Sequence, residues 1–243
     1  MLKAHLPEIK RNYNIDAVIV NGENSADGNG ITPQSADEIF SAGADVITGG
    51  NHSLRQGNAW HLHEDNDFVL RPANFTDAAP GSGYCLVDFG FTKMAVINLI
   101  GTVYMDSYPC PFKTADRLIE QAKNDGASII AVDIHAEATA EKKALAFYLD
   151  GKVSFVFGTH THVQTADLQI LPNKTGFITD LGMTGPHLSV LGVKPELSIK
   201  KIKDKVPVRF ANAEGPCLLE GCIFSVTRDG KCDGVEIIRF FDK

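Results

Sequence analysis

Residues 127–135 read ASIIAVDIH, a run that is apolar almost to its end and closes on His135. A strand with one wet face alternates apolar and polar residues, whereas a strand covered on both faces reads as a continuous apolar run. This stretch is of the second kind. KMAVINLIG (93–101) before it and VSFVFGTH (153–160) after it repeat the pattern, and the segments between, TADRLIEQAKNDG (114–126) and TAEKKALAFYLDG (139–151), predict helices. Upstream the rhythm continues as DAVIVN (16–21), a helix in TPQSADEIFSAG (32–43) and ADVITGGN (44–51). That helix carries its own punctuation: Thr32 as N-cap, Pro33 in the first turn and Gly43 as the stop. Strands alternating with helices give an α/β fold with covered sheets. The last third differs, since CLLEGCIFSVTRDGKCDGVEIIRF (217–240) predicts two antiparallel strands around a turn at Asp229–Gly230. The lysines of GVKPELSIKKIKDKVP (192–207) read as a solvated helix face.

The chain has 243 residues, 44% hydrophobic and 22% charged, which suits one globular domain over 1–243 with a full core. A net charge of -7 excludes a protein that holds duplex nucleic acid by neutralising phosphates, and favours a small partner. No apolar run reaches the roughly 18 residues that cross a bilayer, and MLKAHLPEIKRNYN lacks the apolar stretch of a signal peptide. The expected setting is the cytoplasm, without a membrane partner; nothing in the composition argues against a homo-oligomer. Five cysteines with no C-x-x-C pair indicate neither a disulfide framework nor a thiolate zinc site.

Two histidine pairs share one spacing: His160 and His162 in FGTHTHVQ (157–164), and His61 and His63 in WHLHEDND. Spacing alone does not separate them; company does. Four apolar strands end in polar residues, with Glu23 and Asn24 after AVIVNGEN, Asn51 and His52 after DVITGGNH, His135 after IIAVDIH, and His160 and His162 after SFVFGTH. Each by itself is an ordinary turn former or a satisfied polar group. All four at the same end are a candidate site, because loops converge outside the carboxyl ends of strands in open α/β sheets. Oxygen and nitrogen donors without thiolate suit manganese, iron, zinc or nickel. Two ions about 3.5–4 Å apart clamp the attacking and leaving oxygens of a phosphoryl displacement, and Glu23 is the one carboxylate of the set able to bridge them. His61, His63, His5 and His187 are left as surface or structural residues.

The motifs GNH and GTHTH resemble the calcineurin-like metallophosphoesterases, and NGEN, RPANF, HAEAT, GTHTHVQTAD and ITDLGMTGP resemble the YmdB-like branch. The resemblance runs over nearly the whole chain. It implies a four-layer α-β-β-α sandwich of two mixed sheets with a dinuclear centre, two divalent ions with iron or manganese first and zinc or nickel next. It also implies hydrolysis of a small phosphodiester of the 2′,3′- and 3′,5′-cyclic nucleotide class, by attack of a hydroxide that bridges the metals. By motif, Glu23 would bridge, Asn24 and His162 would serve site 1, and Asn51, His135 and His160 would serve site 2. His52 would protonate the leaving oxygen or stabilise its charge. Asn74 and Thr184 would line the substrate pocket, and Asp180 and Glu137 would orient ligand imidazoles. Members of the family open with a strand whose G-D-x-x-G aspartate is a site 1 ligand, and this sequence opens in the helix expected after it. Site 2 is therefore expected to bind metal better than site 1. GNHSLRQ also lacks the aromatic and the acid usual after the histidine. The other readings are a catalytically weakened nucleotide-binding or regulatory module, and a phosphomonoesterase of the 5′-nucleotidase or protein phosphatase kind.

Overall fold

Apolar runs and amphipathic segments become strands and helices in strict order along residues 1–242, which the computed structural model describes. The order is α1 (Leu2–Asn12), β1 (Ile19–Asn21), α2 (Pro33–Ser41), β2 (Val46–Thr48), α3 (Ala59–Asp65), β3 (Tyr84–Asp88), β4 (Lys93–Ile100) and α4 (Pro111–Asn124). Then follow β5 (Ile129–His135), α5 (Thr139–Leu149), β6 (Phe155–Thr159), β7 (Gln169–Ile170), β8 (Gly176–Ile178) and β9 (Thr184–Pro186). The chain closes with α6 (Pro195–Asp204), β10 (Cys217–Val226) and β11 (Cys232–Phe241). The predicted cap of α2 is present: the Thr32 hydroxyl accepts from Ser35 N at 3.2 Å and the Ser35 hydroxyl accepts from Thr32 N at 3.0 Å. Gly230 takes φ +80° in the turn between β10 and β11, which the glycine there permits. The lysines at 200, 201 and 203 on α6 face solvent.

Six strands in the order β3-β4-β5-β6-β8-β7 make one sheet, parallel from β4 through β8 with an antiparallel strand at each edge. The parallel pairs β4–β5 and β5–β6 need long crossovers, which α4 and α5 supply. A second β layer consists of the parallel pair β1–β2 and the antiparallel set β11-β10-β9. The apolar side chains define four layers. Ile97, Ile130, Val132 and Ile134 pack with Leu118, Ile119, Leu145 and Leu149 of α4 and α5 on the outer face of the large sheet. Val96, Ala131, Phe155 and Phe157 pack on its inner face with Val46, Ile19 and Phe224 of the second layer. Ile47 of β2 packs outward on Ala36 and Ile39 of α2 and Ala59 of α3. This is an α-β-β-α sandwich, with the second sheet in two hydrogen-bonded pieces. A cleft of about 940 Å³ runs between those pieces, with Ile19 and Val20 on one wall and Ile223 and Phe224 on the other.

The two-residue period of the strands places the site. On the face between the sheets, the apolar positions Ile19, Val46, Val96, Ala131 and Phe157 are followed two residues on by Asn21, Thr48, Asn98, Asp133 and Thr159. The dry layer thus turns polar along one line, at the carboxyl ends of five strands.

Candidate metal centre

Asp133, fully buried, is the hub of that line. It accepts from Thr48 Oγ1 and from Asn21 Nδ2 at 3.0 Å on one oxygen, and from Thr159 Oγ1 at 2.8 Å on the other. Burial pushes its carboxyl up, against the hydrogen bonds from Thr48, Asn21 and Thr159. Thr159 Oγ1 lies 3.0 Å from His135 Nδ1. Because the threonine proton goes to the carboxylate, the hydroxyl accepts from His135 Nδ1–H, which leaves Nε2 with a bare lone pair. Glu137 Oε2 lies 3.0 Å from His160 Nε2 and accepts a hydrogen bond from its N–H, so His160 Nδ1 is bare in the same way.

Those two lone pairs point at one place. His160 Nδ1 is 3.0 Å from His135 Nε2, Asn51 Oδ1 is 3.0 Å from the same nitrogen, and Glu23 Oε2 is 3.1 Å from it. Glu23, His135 and His160 offer ligand atoms all within 4.8 Å of one another. Four such acceptors repel each other unless a proton or a cation lies between them, and the oxygen and nitrogen donors fit a divalent metal in that place. Gly50 makes room for the arrangement, since a Cβ there would fall 2.4 Å from His135 Nε2.

His162 stands on the other side of Glu23. Its Nε2 lies 3.3 Å from Asn24 Nδ2, and its Nδ1 is buried without a partner among the described residues. A buried orphan nitrogen marks a group whose partner comes from outside the chain. Asn24 Oδ1 lies 3.0 Å from His52 Nδ1, and Glu23 Oε1 accepts from the His52 backbone N–H at 2.8 Å. The backbone separates the two imidazoles of THTH: His160 has φ +97° and His162 φ +61°, both in the left-handed region. One ring joins Glu23 and His135, the other joins Asn24.

Two expected roles are corrected. Asn74 is 1% exposed, and its amide is fully used by backbone: Nδ2 donates to Ile100 O and Pro109 O, and Oδ1 accepts from Ile100 N. It anchors a loop, its amide held by backbone on both sides. Asp180 touches no imidazole; it accepts from Lys142 Nζ, Thr161 N, Thr161 Oγ1 and Gly182 N. Thr184 is exposed and stands along the cleft with Glu23, Asn24, His160 and His162. His61 is exposed beside Glu64, whereas His63 is buried between the carbonyls of Val69 and Ser53, so that pair is structural. Sequence reading missed Asn21, Thr48, Asn98, Asp133 and Thr159. The signal was the period of two, hidden because the final polar residue of an apolar strand looks like its end.

A family model described as "YmdB-like protein" matches residues 1–238. The chain belongs to the YmdB-like family. It is 43% identical over 226 residues to a 2′,3′-cyclic-nucleotide 2′-phosphodiesterase of Bacillus subtilis, covering 93% of this chain and 85% of that one. Among solved structures, a hypothetical protein of Thermus thermophilus matches with a TM-score of 0.94 at 35% identity, over 100% of this chain and 93% of that one. A novel phosphatase of Mycoplasma pneumoniae matches with a TM-score of 0.92 at 34% identity, over 99% and 87%. This YmdB-like chain is a phosphoesterase with the metallophosphoesterase fold, and membership implies divalent metal ions. No helix among the described residues is long and apolar enough to cross a membrane.

Burial and neighbouring groups set the charge in this YmdB-like centre. Burial alone would raise the Glu23 carboxyl, but the hydrogen bond and charge of His135, with the His52 N–H and ring, outweigh it and hold the pKa at about 2. Burial, helped by the charge of His135, pushes His160 below the ordinary imidazole value. Burial also lowers His52, with the Glu23 carboxylate opposing. Near neutral pH the carboxylate is charged and the His160 ring is neutral, the state in which both can ligate.

Folding stability follows the same signs. Depressed Glu23 contributes stability above the ordinary value of 4.5 that is lost as pH falls toward about 2. Depressed His160 and His52 take up protons more readily when unfolded, so stability is also lost as pH falls below 6.5. The urea midpoint of the metal-free protein is expected to drop from about pH 7 to about pH 3, and Glu23→Gln should flatten the part of that limb below about pH 4.5. A wild-type midpoint independent of pH over that range contradicts the assignment. Glu137→Gln is expected to weaken Mn²⁺ binding about 10- to 100-fold by isothermal titration, as loss of a carboxylate behind a ligand imidazole does. Unchanged affinity would show that Glu137 does not set the His160 tautomer.

Proposed function

We propose that this chain is a metal-dependent phosphodiesterase for cyclic nucleotides of the 2′,3′ and 3′,5′ classes. One observation carries the reading: the bare nitrogens His135 Nε2 and His160 Nδ1 converge with Glu23 Oε2 and Asn51 Oδ1 at the head of a cleft. The name of the Bacillus subtilis relative supports the 2′,3′ class. Glu23 would bridge two ions, Asn24 and His162 holding one, Asn51, His135 and His160 the other. Iron or manganese suits this donor set, then zinc or nickel. Bound there, the ions would supply a water acidified toward neutral pH and would offset the negative charge at phosphorus.

The chain's own groups do the rest. Glu23 stays ionised and holds the His52 backbone by its N–H. His52 Nδ1 lies 3.0 Å from Asn24 Oδ1 and would donate to it; when the ring is protonated on both nitrogens, Nε2–H would pass its proton to the leaving oxygen and leave the neutral ring with Nδ1–H. Thr184 on the cleft wall would contact the nucleotide. We place the enzyme in the cytoplasm with a small phosphodiester as its partner. The Mycoplasma pneumoniae neighbour, titled a phosphatase, supports a second reading as a phosphomonoesterase. A panel of cyclic nucleotides and phosphomonoesters with Mn²⁺, run on wild type, Asn51→Ala and His52→Ala, separates the two. Turnover of the cyclic substrates that falls in both variants supports the proposal. Turnover of monoesters alone selects the second reading, and equal rates in all three proteins remove the site.

A further inference from the structure

Among the described residues, Lys142 and Asp180 form the one lysine–carboxylate pair with both side chains almost wholly buried, 1% and 0% exposed, with Lys142 Nζ 2.8 Å from Asp180 Oδ2. The lysine lies on α5, and its stem passes beneath Gly158 of β6, where a Cβ would fall 2.9 Å from Lys142 Cδ. Burying two charges costs several kcal/mol per ion unless geometry and further hydrogen bonds compensate, so such a pair is weak evidence for stability as such. What surrounds it points to the metal centre instead.

The same oxygen, Asp180 Oδ2, accepts from Thr161 N at 3.0 Å and from Thr161 Oγ1 at 2.7 Å. The other accepts from Gly182 N at 3.0 Å. Thr165 ties down the Asp180 backbone from both sides, its Oγ1 accepting from Asp180 N at 2.9 Å and its N–H donating to Asp180 O at 3.1 Å. Thr161 is the single residue between His160 and His162, both held at positive φ. A non-glycine residue in that region costs of order 1–3 kcal/mol and persists only where its surroundings over-determine it. Asp180 supplies that constraint at Thr161, and Lys142 fixes Asp180.

We propose that Lys142 is a positioning residue for the metal centre, holding Asp180 against Thr161 so that His160 faces Glu23 and His135 while His162 faces Asn24. The proposal rests on the metal-centre reading above. It goes further by assigning the division of THTH between two ions to a buried cation on a helix outside the site.

The test is Co²⁺ titration of the full chain, followed by visible absorption and by isothermal titration, well below the melting temperature. Lys142→Met keeps the stem and removes the charge; Lys142→Met with Asp180→Asn removes both charges and keeps an acceptor for Thr161 N. Both are expected to bind Co²⁺ about 10- to 100-fold more weakly than wild type with an altered d–d spectrum, and Lys142→Arg to recover part of the affinity. A merely structural lysine would lower the melting temperature without changing affinity or spectrum. Wild-type affinity and spectrum in folded Lys142→Met overturn the proposal. If that variant does not fold, the same result in the double variant overturns it. Wild type that takes up no Co²⁺ overturns the metal centre itself, and the role of Lys142 with it.

Discussion

Replacing Glu23 by glutamine is expected to lower kcat/KM about a thousandfold, because metal ions contribute several kcal/mol of charge stabilisation in a phosphoryl transfer and each 1.4 kcal/mol is about tenfold. Glu23 is 2% exposed and meets His135 Nε2 at 3.1 Å and the His52 N–H at 2.8 Å. The amide keeps the shape and loses the charge. Divalent uptake, measured by plasma mass spectrometry after loading and desalting, is expected to fall with activity. A variant with wild-type metal content and a thousandfold lower rate would make Glu23 a base and not a bridge.

Replacing His52 by alanine is expected to lower kcat by about 10²- to 10⁴-fold, the range for loss of a general acid or base. Its metal content should stay as in wild type, since His52 donates Nδ1–H to Asn24 Oδ1 and lies outside the Glu23, His135 and His160 cluster. A leaving group that departs without a proton, such as p-nitrophenolate, should hide most of the loss. An equal loss with nucleotide and p-nitrophenyl substrates would place His52 in orientation, not in proton transfer.

The α/β alternation and the covered sheet were legible because β4, β5 and β6 carry almost continuous apolar runs, while the four-layer sandwich came only with the resemblance to the family. Short strands were harder. β7, β8 and β9 have two or three residues each, too few for any period to register. The convergence of Glu23, Asn51, His135 and His160 was legible from the strand ends that carry them. Asp180 was recognised as polar company of the site, but its target was the backbone at Thr161, which depends on where α5 sends Lys142. Asn74 was misread because a motif residue in a loop can serve the loop, and its amide is used up holding Ile100 and Pro109.

The account stands most directly on whether hydrolysis of a cyclic nucleotide depends on metal held by His135 and His160. Chelator-stripped wild type and His160→Ala, each assayed on 2′,3′-cyclic AMP with and without added Mn²⁺, measure this. The prediction is no turnover in stripped wild type, recovery on adding Mn²⁺, and little recovery in His160→Ala at the same Mn²⁺ concentration. Undiminished turnover by stripped wild type in excess chelator, or full recovery of His160→Ala, would contradict it.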